Sequence, residues 1–226
     1  MALLLCIDTA MENAGVCLSE NGSVVGKKTN NKQHDHATWI HNAINDLLEE
    51  SAKKINELGA VAVVSGPGSY TGLRVGMATA KGLCYSLNIP LITESTLKII
   101  AFAVKKTLKS GYTLPVFICP MIDARRMEVF TTLYDIDLKE VLEPGATILE
   151  ENSFRSELND NILVFCGNGS SKWQYICKNS NAEFSDVNYD ITDLAILAEE
   201  KYHNQNFAQL AYTEPSYLKN VYTGLK

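Results

Sequence analysis

The sequence predicts an α/β protein built on a mixed sheet, followed by a second β-rich segment that repeats the opening pattern. Three observations lead there. Residues 3–7 are a continuous apolar run of strand length, the pattern of a strand buried on both faces. Residues 58–64 repeat that pattern, then pass through Ser65-Gly66-Pro67-Gly68-Ser69-Tyr70 into a helical periodicity. Residues 116–122 end in Asp123 much as the first strand ends in Asp8, so two related lobes are expected.

The elements follow in order. Asp8-Thr9-Ala10 makes a polar turn after strand one. Residues 15–18 and 24–27 read as strands joined at Asn21-Gly22, a strong hairpin signal. Residues 35–52 read as a helix, with Ala37, Ile40, Ile44, Leu47 and Leu48 on one apolar face. A second helix is expected over 71–87, a short strand over 91–93 and a helix over 97–108. Gly111 to Pro115 marks the lobe boundary, giving an N-terminal lobe 1–110 and a smaller C-terminal lobe 111–226. Strands are expected at 116–122, 128–134 and 162–166, the last ending in Gly167-Asn168-Gly169. A helix over 193–203 is expected to pack back on the first lobe, ahead of a tail over 218–226.

Composition narrows the function classes. The chain has 226 residues, 46% hydrophobic and 20% charged, so it is globular in composition. Its net charge is −6, and no basic stripe is visible, so any RNA contact is expected to run mainly through partners. No apolar run approaches the roughly 18 residues of a membrane span. The apolar start is interrupted by Asp8 and lacks a basic flank, so it reads as a strand; a cytoplasmic location is expected. The six cysteines form no Cys-x-x-Cys pair and read as reduced thiols, most of them buried.

Three constellations carry candidate chemistry. In the first, Gly66 and Gly68 permit a tight turn, Ser69 or Thr71 caps the helix, and Arg74 stands one turn in. A free helix N-terminus favours anions, so this is either an anion-holding turn or a purely geometric connection. The P-loop spacing is absent. In the second, Gly72, Gly76 and Ala80 fall at i, i+4 and i+8, with Leu73 and Met77 beside them. Such a stripe admits another protein's helix or packs within its own domain. In the third, Asp8-Thr9, Asp123 and Gly167 with Gly169 close successive strands, where an acid can hold Mg²⁺ through water and a Gly-x-Gly turn leaves room for a base. His34, His36 and His41 lack zinc-peptidase spacing, and a solvated helix start is expected there.

Together these segments resemble the bacterial TsaB family. The residues that carry the likeness are Ile7-Asp8-Thr9-Ala10, Gly15-Val16, His36, Ser65 through Gly76, Glu94-Ser95-Thr96-Leu97, Ile122 through Val129, Gly167-Asn168-Gly169 and Pro215-Ser216-Tyr217-Leu218. The resemblance implies the two-lobed fold of actin, hexokinase and Hsp70 with a reduced second lobe. It implies a non-catalytic subunit that binds and activates the TsaD transferase, together with the ATPase TsaE, for N6-threonylcarbamoylation of tRNA adenosine 37. It also implies a homodimer when alone and tRNA contact mainly through partners; no cofactor is firmly expected, with ATP or ADP an open option at the interface of the complex. The family pairs through its first two helices, which would make Ile40, Ile44, Leu48, Gly72, Leu73, Gly76, Met77 and Ala80 the partner surface. Asp8, Thr9, Ser69, Thr71, Arg74, Asp123, Gly167 and Gly169 are the candidate anion or nucleotide contacts. The competing reading is an ATP-dependent small-molecule kinase of the same fold, and a zinc peptidase stands third. Asp8-Thr9-Ala10 lacks the glycine of the kinases' first phosphate loop, and His34 and His36 do not match the His-x-x-x-His pair of TsaD.

Overall fold

The computed structural model describes residues 2–31 and 35–219. The chain divides into two compact units, one of residues 1–99 with 190–216, the other of residues 100–189 with the chain from Tyr217 onward. The break falls at Ile99/Ile100 rather than at 110/111, and residues 190–216, which include the helix expected to pack back, belong with the first unit.

In the first unit, β1 (Leu3–Asp8) pairs antiparallel with β2 (Ala14–Glu20), and β2 pairs antiparallel with β3 (Ser23–Asn30). On the other side β1 runs parallel to β4 (Leu58–Gly66), and β4 parallel to β5 (Leu91–Ser95), so the order is β3-β2-β1-β4-β5. Asn21 and Gly22 take φ of 54° and 76°, the left-handed pair that a two-residue hairpin turn requires.

The β1 run is apolar throughout because both faces are covered. Leu3, Leu5 and Ile7 join the core with Ile40, Ile44, Leu47 and Leu48 of α1 (His36–Glu50) and Met77 and Ala80 of α2 (Tyr70–Leu87). Cys6 and Cys17, register partners on β1 and β2, point the other way, towards the last helix of the unit. α2 begins at Ser69, whose side chain accepts the Gly72 N–H, and stops at Asn88 in the left-handed conformation. All six cysteines are free, and all but Cys177 are buried; burial pushes the Cys119 thiol up to about 12.

That last helix, α6 (Ile191–His203 in chain order), packs on β1, β2 and β5. It is anchored at both ends. At its start, Asp190 accepts the Thr192 N–H, Asp193 accepts the Asp190 N–H, and Lys27 lies 3.0 Å from Asp190. Burial raises the Asp190 carboxyl, but the Thr192 donors and Lys27 outweigh it and hold the group below its ordinary 3.8. A carboxyl depressed on folding adds stability above its unfolded pKa, and that contribution is lost as pH falls through the folded value. Asp190→Ala is therefore expected to cost about 1 kcal/mol at pH 7, mainly as a lost cap. The gap should narrow in urea titrations taken below pH 3.8.

Near its end, Lys201 donates to the Thr93 carbonyl at 2.7 Å and lies 3.1 Å from Glu94 Oε2. Glu94 is only 4% exposed, and its other oxygen accepts the Ser95 N–H. The Lys201–Glu94 contact is an ion pair, since among the described residues no donor meets Glu94 Oε2 at hydrogen-bonding geometry.

α3 (Thr96–Lys105) carries the chain out of the first unit. The second unit repeats the strand order of the first. β6 (Val116–Asp123) pairs antiparallel with β7 (Glu128–Tyr134), and β7 with β8 (Glu140–Ile148). β9 (Ile162–Cys166) runs parallel to β6, and β10 (Ala182–Ser185) parallel to β9, giving β10-β9-β6-β7-β8. Numbered within each unit, both sheets read 3-2-1-4-5. This is the duplicated α/β arrangement expected for the two-lobed actin, hexokinase and Hsp70 class. Among the described residues, the helices of the second unit beyond the end of α3 are the short α4 (Arg155–Asn159) and α5 (Ser170–Gln174). Trp173 fills the space beneath, edge-on to Phe154 and Phe165 at centroid distances of 5.7 and 6.0 Å.

Candidate functional site

The glycine-rich turn is built around Thr9. Thr9 is buried, and its hydroxyl donates to the Gly72 carbonyl at 2.6 Å. The Ser69 N–H donates to the Ala10 carbonyl at 2.7 Å. These two bonds staple the turn after β1 onto the start of α2. The approach is so close that side chains do not fit between. A Cβ at Gly68 would stand 2.3 Å from the Ala10 carbonyl oxygen, one at Gly72 2.0 Å from that of Thr9, and one at Gly76 2.4 Å from the Thr9 hydroxyl. Asp8 is 3% exposed and accepts the Ala10 N–H at 2.8 Å.

This geometry turns the small-residue stripe of the expected partner surface inward. Gly72, Gly76 and Ala80 are buried, with Gly76 against Thr9, Ile7 and Val63. Ile40, Leu73 and Met77 are buried in the same unit, whereas Ile44 and Leu48, 5% and 7% exposed, also line a groove beside α1. The small-residue stripe exists to admit the chain's own Thr9 turn and β1, so a second protein's helix cannot lie along it. Of the candidate anion contacts here, Asp8 and Thr9 are engaged inside the staple, and Ser69 serves as helix cap. Thr71 and Arg74 are exposed, with the Arg74 guanidinium 4.0 Å above the Tyr70 ring.

What α2 turns outward is a different row. Thr71, Arg74, Ala78, Gly82 and Tyr85 are exposed, Tyr85 by 83%. A Cβ at Gly82 would meet nothing within 4 Å. Beside this row a groove of about 390 Å³ runs between the two helices, lined by Ile44, Leu48, Ile55 and Leu83 with His41 and Glu49 at its rim. The outer row was missed because it reads as mixed polar and small. Its signal was there in Ala78 and Gly82, four apart and flanked by Arg74 and Tyr85.

In the second unit Asp123 is likewise occupied. It accepts from Lys172 Nζ at 2.8 Å and from the Arg125 N–H at 2.6 Å, and its own N–H donates to Asn168 at 2.9 Å. Burial raises its carboxyl, but Lys172 and the Arg125 N–H outweigh that and lower it overall. Gly167 packs against β6 and Gly169 against β6 and β7, where a Cβ would stand 2.4 Å from the Met121 carbonyl and 2.9 Å from Val129 respectively. The histidines do not converge. His36 is buried at the start of α1, 3.4 Å from the Met11 carbonyl, His41 is exposed, and His203 pairs with Glu199. His34 lies outside the described residues. Among the described residues, no three His, Cys, Asp or Glu side chains cluster as a metal site, and no helix is long and apolar enough to cross a membrane.

Comparison with known proteins places this architecture. The family model for the tRNA N6-adenosine threonylcarbamoyltransferase TsaD matches residues 23–221. The tRNA threonylcarbamoyladenosine biosynthesis protein TsaB of Escherichia coli (strain K12) is 28% identical over 224 residues, covering 96% of this chain and 94% of that protein. The TsaB of Bacillus subtilis (strain 168) is 29% identical over 171 residues, 74% of this chain and 72% of that protein. In structure, YeaZ from Pseudomonas aeruginosa superposes with a TM-score of 0.78 at 23% identity, covering 96% of this chain and all of that one. A further Pseudomonas aeruginosa protein, described as similar to peptidase YeaZ, reaches 0.82 at 22% identity over 97% of this chain and all of that one. The chain therefore belongs to the tRNA N6-adenosine threonylcarbamoyltransferase family, and within it resembles the relatives named TsaB.

Proposed function

We propose that this chain is a non-catalytic cytoplasmic subunit in the formation of N6-threonylcarbamoyladenosine on tRNA, pairing with and activating a TsaD-like transferase together with a TsaE-like ATPase. The observation that carries the reading is the contrast between the two sides of α2. Its inner side is spent on the chain's own Thr9 turn, and each unit's strand-end acid is engaged within its own unit, Asp8 by the Ala10 N–H and Asp123 by the Arg125 N–H and Lys172. Its outer side offers an exposed aromatic, two small residues and a groove beside α1. That combination suits a partner's helix laid across α1 and α2, and the names of the relatives supply the process. The kinase alternative would need Asp8 and Asp123 turned towards a ligand and its metal.

Reconstitution tests the function. The transferase and ATPase with tRNA, ATP and a threonylcarbamoyl donor are expected to form the modified base only when this chain is added. Modification at the same rate without it, or by this chain alone, would overturn the reading. The surface has its own test. Tyr85→Ala is expected to weaken pairing by roughly 30-fold, as for an interface anchor worth about 2 kcal/mol. Gly82→Arg should abolish pairing by steric block, with melting temperature not lowered in either variant. Calorimetric titrations showing unaltered affinity for the two would remove α2's outer row from the interface.

A further inference from the structure

The turn joining β6 to β7 carries two positive charges that its surroundings do not answer. The chain has four arginines, Arg74, Arg125, Arg126 and Arg155, and two of them are consecutive at this turn. Both are exposed. The acids that flank them are already neutralised, Asp123 by Lys172 and Glu128 by Lys219. Neither guanidinium is paired with a carboxylate among the described residues. A chain with net charge −6 thus reverses sign locally at one hairpin tip.

The backbone gives arginine no reason to be there. Arg125 and Arg126 take φ of 70° and 49°, left-handed at both positions. Such consecutive turn positions favour Asn-Gly, which adopts them with little strain. Residues held in sparsely populated conformations tend to mark functional positions. The base of the turn is fixed by the Ala124 N–H to the Glu128 carbonyl (3.1 Å), the Glu128 N–H to the Arg125 carbonyl (3.2 Å) and the Asp123 N–H to Asn168 Oδ1 (2.9 Å). Two guanidinium forks therefore project from a rigid support, the arrangement that recognises phosphate oxygens.

We propose that Arg125 and Arg126 contact backbone phosphates of the tRNA. This rests on the functional reading above, which makes RNA the polyanion at hand, and it gives this acidic subunit a direct RNA contact of its own. The test uses Arg125→Asn combined with Arg126→Gly in the reconstituted assembly with transferase and ATPase. That pair removes both charges and relaxes the turn, so the variant should melt at or above the temperature of the unmodified chain. Affinity for tRNA at 150 mM salt is expected to fall about tenfold, and the slope of log Kd against log salt to become shallower by about 2. ATP affinity, measured alongside, should not change. Unaltered tRNA affinity and slope would overturn the proposal, and so would a loss confined to ATP, which would assign the arginines to a nucleotide's phosphates instead. If the unmodified chain fails to support base modification, the functional reading itself falls. If it supports modification and the variant binds tRNA equally well, only the phosphate contact falls.

Discussion

Gly72→Ala is expected to destabilise the isolated chain by more than about 3 kcal/mol, at the upper end of overpacking effects. The new Cβ would lie 2.0 Å from the Thr9 carbonyl oxygen, a backbone atom that cannot swing aside. Relief requires the β1 turn and the α2 start to separate, breaking the Thr9–Gly72 bond and the Ser69–Ala10 bond together. Helix propensity alone has the opposite sign, since alanine in a helix is favoured over glycine by about 1 kcal/mol. Gly82→Ala on the same helix supplies the control. Its Cβ meets nothing, so stability should rise by about 0.5–1 kcal/mol. Urea midpoints of the two variants should therefore move in opposite directions. A Gly72→Ala midpoint at or above that of the unsubstituted chain would sink the staple account.

The second large effect belongs to Lys201→Met, which should cost about 3 kcal/mol or more by leaving the Glu94 carboxylate buried without its counter-charge. For a chain of this size that is a fall of roughly 6–12 °C in melting temperature. Adding Glu94→Gln should recover most of the loss, because the stranded charge is gone and only the Lys201 bond to the Thr93 carbonyl is missing. A melting temperature for Lys201→Met within 2 °C of the parent, on the order of half a kcal/mol, would show that the pair is solvated in practice.

Elements whose surroundings impose a pattern were legible in the sequence. β1 reads as doubly buried because α1 and α2 cover one face and α6 the other. The Asn21-Gly22 turn and the span of α2 from its Ser69 cap to Asn88 follow from local chemistry. The phase of α2 did not. Gly72, Gly76 and Ala80 form one row of small residues, and Arg74, Ala78 and Gly82 form a neighbouring row, both at a spacing of four. Spacing alone cannot say which row faces inward; the buried hydroxyl of Thr9, 63 residues earlier in the chain, decides it. β8 was equally hidden. It is a mostly exposed edge strand interrupted by Pro144-Gly145, so it carries neither an apolar run nor a clean alternation. The Arg125-Arg126 turn is plain in the sequence as part of the Ile122–Val129 segment, but its uncompensated charge emerges only from the commitment of Lys172 and Lys219 to the neighbouring acids.

Because the first unit is completed by residues 190–216, its assembly is tied to the tempo of translation. At roughly 5–20 residues per second, about 5–20 s separate the synthesis of residue 99 from that of α6. Throughout that interval the nascent sheet lacks the helix that covers Cys6 and Cys17, and its apolar surface is available to chaperones or to neighbouring nascent chains. A ribosome that stalls between the two segments releases a first half that is nearly complete in sequence and open along one whole side.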